Sequence, residues 1–177
     1  MRLSTTVVAL VGERAPECLE ALRAAANVRV VRPDPRDAPL ERAAAAYRAA
    51  AGIHAPYLAH DADPLGPVAD AWIRWFDQDD APAGALEVTV RETLRRWRAD
   101  LIALPDYYLV LDADAWAPTR RHWYLGFLHR AAPSRVVPVA GTASAVATEL
   151  SQLASGRWWP DLDRLLADVD RVVPDRV

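Results

Sequence analysis

Apolar residues in this chain gather in short runs that read as strands, separated by stretches with helical spacing. Thr5-Thr6-Val7-Val8-Ala9-Leu10-Val11 is β-branched and almost wholly apolar, and Gly12 breaks it. A continuous run of this length suits a strand buried on both faces. Residues 28–31 form a second such run, stopped by Pro33-Asp34-Pro35. Residues 107–111 and 135–139 give a third and a fourth. Between the first two runs, Leu19, Leu22 and Ala26 recur at helical spacing, and Pro16 sits in the first turn, where its missing N–H is harmless. Residues 5–31 therefore have the length of a parallel strand–helix–strand crossover.

The remaining pattern is mostly helical. Residues 39–51 are rich in alanine, the best helix former. Residues 54–67 read as irregular, with prolines at 56, 64 and 67. A helix over 68–76 would bury Trp72 and Phe76, and a polar, breaker-rich loop follows at 77–84. Leu86, Val90, Leu94, Trp97, Leu101 and Leu104 step by threes and fours, which predicts a long helix over 86–104. Another helix begins near Pro118 and buries Trp123, Tyr124, Phe127, Leu128 and Ala131. Two more are expected over 143–154 and 162–172. This order predicts one α/β domain over residues 1–177. Its core is a small doubly wound, mostly parallel sheet of about four strands, Rossmann-like or flavodoxin-like. A helical insertion at about 36–104 follows strand two.

Composition narrows the chemistry. The chain has 177 residues, 52% hydrophobic and 25% charged, with a net charge of −3. That balance gives no electrostatic reason to expect nucleic acid or an anionic membrane as partner. With no spanning-length apolar run and no signal-like segment, a cytoplasmic location is the default expectation. All 21 basic side chains are arginine. A Schiff-base lysine and a P-loop lysine are thereby excluded. Any anion would be held by guanidinium forks or backbone N–H groups. The single Cys18 rules out an intramolecular disulfide and a cysteine-rich zinc site, and its helical position reads as a small buried apolar residue.

The candidate site residues cluster after strands one and three, because ligands of open α/β sheets bind beyond the carboxyl ends of the strands. Gly12 and Glu13 open the turn from strand one into its helix. That place suits a ligand contact, but a plain turn, with Glu13 opposing the helix dipole, explains them too. Asp112 and Asp114 follow strand three. Such a pair can share a divalent metal, can cap a turn, or can contact a ligand without metal. Arg120, Arg121 and His122 sit in the first helical turn beyond. Cations there oppose the helix dipole, so they either serve a ligand or pair with Asp112 and Asp114. Residues 54–63 hold His54, His60, Asp61 and Asp63, a metal-compatible set without metal-ligand spacing. No metal or other cofactor is expected. Trp72, Trp97 and Trp123 fall on apolar helical faces. Trp116 is a candidate for stacking on a ligand ring, while Trp75, Trp158 and Trp159 have no obvious place.

One stretch resembles a known family. Asp100-Leu-Ile-Ala-Leu-Pro-Asp106-Tyr-Tyr-Leu-Val-Leu, then Trp116, the Thr119-Arg120 helix opening and Arg135-Val-Val-Pro-Val are similar to the second half of the nucleoside 2-deoxyribosyltransferase-like proteins and their TIR-domain relatives. The resemblance implies a flavodoxin-like sheet and cleavage of N-glycosidic bonds. It also implies a nucleophilic Glu in the helix after the polar loop. Residues 117–132 contain no Glu or Asp, so the carboxylate needed for a covalent glycosyl intermediate is absent there.

Two functions are therefore expected from the sequence. The first is binding of a nucleotide, nucleoside or sugar-type small molecule, anionic or nucleoside-like, at the carboxyl edge of the strands, with catalysis left open. The second is a non-catalytic interaction or oligomerisation module, a homodimer among the possibilities, suggested by the seven tryptophans and the absent nucleophile.

Overall fold

The structure, a computed structural model, describes residues 5–77, 82 and 84–174. Among these residues five strands form one sheet: β1 (Thr6–Val11), β2 (Val28–Val30), β3 (Tyr57–His60), β4 (Tyr107–Leu111) and β5 (Val136–Val139). They lie in the order β2-β3-β1-β4-β5 and all pair in parallel. The helices are α1 (Ala15–Leu22), α2 (Pro39–Ala50), α3 (Gly66–Asp77), α4 (Ala85–Arg98), α5 (Pro118–Arg121), α6 (His129–Ala131), α7 (Ala143–Leu150) and α8 (Leu162–Leu166). A π-helical stretch, His122–Leu128, joins α5 to α6. No helix among the described residues is long and apolar enough to cross a membrane.

Strand alternation divides the core into two layers. Val8, Leu10, Leu109 and Leu111 face α1 and α7, packing with Cys18, Leu19, Leu22, Val146 and Leu150. Ala9, Val11, Tyr108 and Val110 face the other way, against Trp72 of α3, Leu86 of α4, and Trp123, Tyr124 and Leu128 of the π stretch. Helices thus cover both faces of a doubly wound sheet. Every residue of β4 is buried, as its continuous apolar run requires. Cys18 is buried and unpaired, a packing residue in α1.

The sheet has one strand more than the hydrophobic pattern suggests. Residues 57–60 read as part of an irregular, proline-rich stretch, yet they form β3, seated between β1 and β2. The run is only four residues long and ends in His60, so its own pattern is weak. Its order comes from its neighbours. Thr6 through Ala9 pair with Tyr57 through His60 on one side, and Val28 through Val30 pair with Tyr57 through Ala59 on the other. The segment after β2 is therefore not wholly helical. It contributes α2, then a strand, and then α3 and α4. The long helix over 86–104 also stops early, at Arg98. Asp100 turns the chain out with a φ of 55°, and Ile102 is buried with α2 in a separate small cluster. The helical spacing of Leu101 and Leu104 continues in a segment that is no longer helix. The polar loop at 77–84 falls mainly on Gln78, Asp79, Asp80, Ala81 and Ala83, which lie outside the described residues.

The π stretch has a visible cause. His122, Trp123 and Tyr124 are all buried, three large residues in succession. A regular α-helix sweeps consecutive side chains around more than one face, whereas the wider π turn lets more of them face the sheet. Gly126 makes the turn possible, since a Cβ there would lie 2.7 Å from the His122 ring.

Candidate functional site

The chain leaves β1 toward β2 and leaves β4 toward β5, so neighbouring strands β1 and β4 send their following segments to opposite sides. The helix after β1 packs on one face of the sheet and the helix after β4 on the other. This is the switch point at which open α/β sheets form a crevice. Gly12, Glu13, Asp112 and Trp116 all sit around it.

Gly12 is required there. Its φ is +131°, and a Cβ would lie 3.0 Å from the Leu111 carbonyl oxygen and 3.2 Å from Trp116 Cζ2. Trp116 thus lies directly over the turn that follows β1. Its ring meets the Tyr124 ring edge-on at 5.4 Å, and the Arg120 guanidinium lies over it at 5.2 Å. Gly12, Trp116 and Arg120 are brought together as the sequence suggests.

Asp112 serves the backbone. It adopts a left-handed conformation, φ 48°, where Asp is tolerated better than most residues. Its N–H donates to the Val139 carbonyl, and its Oδ1 accepts the Gly141 N–H at 2.7 Å. A Cβ on Gly141 would collide with the same carboxylate. Asp112 therefore latches the segment after β4 to the segment after β5. Asp114 is exposed in the 3₁₀ turn Ala113–Ala115. Among the described residues neither aspartate forms an ion pair with Arg120 or Arg121, so the salt-bridged corner is not the arrangement found. Glu13 is exposed beside Arg14, which pairs with Glu17 instead. Arg121 is half-buried. His122 points away from the crevice into the core, stacked on Trp72 with ring centroids 6.1 Å apart. Among the described residues no three His, Cys, Asp or Glu side chains are grouped to hold a metal ion.

Asp63, which the sequence offers only as part of a metal-compatible set, is a buried hydrogen-bond acceptor beneath this crevice. Asp63 follows β3, and three groups converge on it. Its Oδ1 accepts the Tyr108 hydroxyl at 2.7 Å and the Leu65 N–H at 2.8 Å, and its Oδ2 accepts the Tyr124 hydroxyl at 2.7 Å. Burial pushes the Asp63 carboxyl above the usual carboxylate range, against the three donors that favour its charged form. Burial and the neighbouring carboxylate push both tyrosines well above their ordinary value, so they remain donors. Tyr124 touches Asp63 below and Trp116 above, which couples the buried network to the crevice. The only sequence signal was that Tyr108 and Tyr124 each fall on the apolar face of their element, where a buried hydroxyl needs a partner.

The other unplaced aromatics divide. Trp159 is buried and donates its Nε1–H to the Pro105 carbonyl at 2.8 Å. Trp158 lies against Arg135, whose guanidinium sits between it and Tyr107. Trp75 is about half exposed, at 49%. The chain as a whole stands apart in comparison: no protein-family model, no curated protein and no solved structure matches it.

Proposed function

We propose that this chain binds an anionic, ring-bearing small molecule of the nucleotide or sugar-phosphate class at the carboxyl edge of β1 and β4. The observation that carries this reading is the Arg120–Trp116 pair above Gly12. An arginine in the first turn of a helix opposes the helix dipole, and Arg120 has no carboxylate partner among the described residues to compensate. A bound anion would supply that compensation. The guanidinium fork suits a phosphate, and Trp116 offers an aromatic edge and face to a base or sugar ring. Arg121 stands next to Arg120 and adds positive charge. Asp112 keeps the loop in shape and is not assigned to the ligand.

Thermal denaturation with adenosine 5′-monophosphate, uridine 5′-monophosphate, glucose 6-phosphate and inorganic phosphate tests the reading. At least one organic phosphate should raise the melting temperature by several degrees at millimolar concentration. Arg120→Ala should abolish that rise while leaving the ligand-free melting temperature within about two degrees, because an exposed side chain contributes little to stability. No shift with any compound, or a shift that survives Arg120→Ala, rejects this assignment.

A second reading rests on the exposure of Trp75, at 49%, on the outer side of α3. An exposed tryptophan is a common anchor of protein interfaces. If this chain self-associates through it, light scattering should give a dimer mass that Trp75→Ser returns to that of a monomer.

A further inference from the structure

A cavity of about 820 Å³ opens between α2 and the segment that follows α4, running from the amino ends of β1, β4 and β5 to the carboxyl end of β3. Its size falls within the range of small-molecule sites. Ala43, Ala46 and Ala50 of α2 form one wall, and their small side chains leave the space open. Val7 of β1 and Leu104 form other parts of the lining. The walls are thus largely apolar.

His60 sits at the inner end. Tyr57 and Ala59 of β3 pack toward α1 and α7, so alternation turns His60 to the α2 side, where it lines the cavity. The residue is only 4% exposed. Its Nδ1 accepts the Ala62 N–H at 3.2 Å, which requires a lone pair on Nδ1 and leaves the ring proton on Nε2. Among the described residues Nε2 has no hydrogen-bond partner, and it is not among the sealed, unpaired atoms of the interior. It opens on the cavity.

The charged groups of the lining are already engaged or face solvent. Asp106 accepts the Val7 N–H, Asp100 accepts the Tyr47 hydroxyl, and Arg135 donates to the Gly156 and Arg157 carbonyls. Arg48 is exposed at the rim. The two carboxylates and two arginines of the lining balance in charge, so nothing inside calls for a charged ligand. At the inner end the Nε2–H donor faces a mainly apolar space, with Thr6 and Arg48 elsewhere in the lining.

We infer that this cavity is a second binding site, for an uncharged, mainly apolar small molecule that presents a carbonyl or ring-nitrogen acceptor to His60. It is separate from the carboxyl-edge crevice and does not depend on the ligand proposed there. Burial holds the imidazole neutral, with its pKa lowered to about 4, which keeps Nε2 a neutral donor at physiological pH.

Three probes of similar shape test this: acetophenone, which has a carbonyl; ethylbenzene, which has none; and benzoate, which is anionic. Binding is read from the imidazole nitrogen signals of protein carrying ¹⁵N-labelled histidine. Acetophenone should move the His60 Nε2 signal and bind about tenfold more tightly than ethylbenzene, the value of one matched hydrogen bond. Benzoate should bind more weakly than acetophenone. His60→Asn, which preserves an acceptor for Ala62, should reduce acetophenone binding to the ethylbenzene level, read from the change in melting temperature. Ala46→Leu, which fills the wall, should abolish binding of both, with circular dichroism confirming the fold. Equal binding of acetophenone and ethylbenzene, tighter binding of benzoate, no perturbation of His60 by any probe, or unchanged binding to folded Ala46→Leu would each overturn the assignment.

Discussion

Replacing Asp63 by alanine is expected to destabilise the protein by about 3–4 kcal/mol, the loss of one carboxylate that three donors share. The reasoning begins with the two tyrosines. Tyr108 is fully buried and Tyr124 nearly so, and each donates its hydroxyl to Asp63 at 2.7 Å. Without the carboxylate, both hydroxyls are left in the core unpaired. An orphaned buried donor costs about 1–3 kcal/mol, so two of them account for most of the effect. The Leu65 N–H at the start of α3 loses its partner as well. Tyr108→Phe and Tyr124→Phe should restore much of the stability when added to Asp63→Ala, since the hydroxyls then have nothing to satisfy. Each should be destabilising in the wild-type background, because it strips a donor from a buried carboxylate. Chemical denaturation of the variants in a thermodynamic cycle measures this coupling. Additive losses would show that the three residues do not act as a unit.

The elements with strong periodicity were legible in the sequence. β1 and β4 announce themselves by continuous apolar runs, α2 by its alanine content and α3 by its apolar face, while the helix expected over 143–154 ends at Leu150. β3 was not legible, because its order comes from two flanking strands and not from its own four residues. The early end of α4 was hidden for a related reason. Leu101 and Leu104 keep a helical step by coincidence, while Asp100 breaks the backbone at positive φ.

The candidate site was legible as a place and less so as a set of roles. Gly12, Trp116 and Arg120 do converge, because a switch point gathers whatever follows its two central strands. Asp112 and His122 have other work, one latching a loop and one filling the core. Asp63 and His60 were visible in the sequence only as members of a metal-compatible set in a stretch read as loop, and their roles in the fold were not. The strand that organises that stretch is what carries His60 beneath α2 and Asp63 to the tyrosines. Reading one short strand as loop therefore hid the roles of both His60 and Asp63.

Stability should fall by about 3 kcal/mol as the pH drops from 7 to 4 through His60 alone. In the unfolded chain its imidazole titrates near the ordinary value of about 6.5. In the folded chain burial lowers that value to about 4, with a further push from the Arg42 charge. Between these two values the unfolded state binds a proton that the folded state refuses. Unfolding is then favoured increasingly as the pH falls, and the contribution of neutral His60 is intact only above about 6.5. Each unit of separation is worth about 1.4 kcal/mol, which gives the figure above. The groups around the ring do not reverse the sign. Arg42 is tied to Asp61 at 2.9 Å, while Tyr47, Asp100 and Asp106 line the same cavity with partners of their own. Asp63 contributes the opposite slope at the acid end, because its raised value lets the folded state bind a proton first. A comparison of wild type with His60→Asn isolates the histidine from that term. Unfolding free energies from denaturant titrations between pH 7 and 4 should fall by about 3 kcal/mol more for the wild type than for the variant. Parallel profiles for the two proteins would mean that His60 is free to protonate in the folded state, and that the cavity beside it is wetter than its walls suggest.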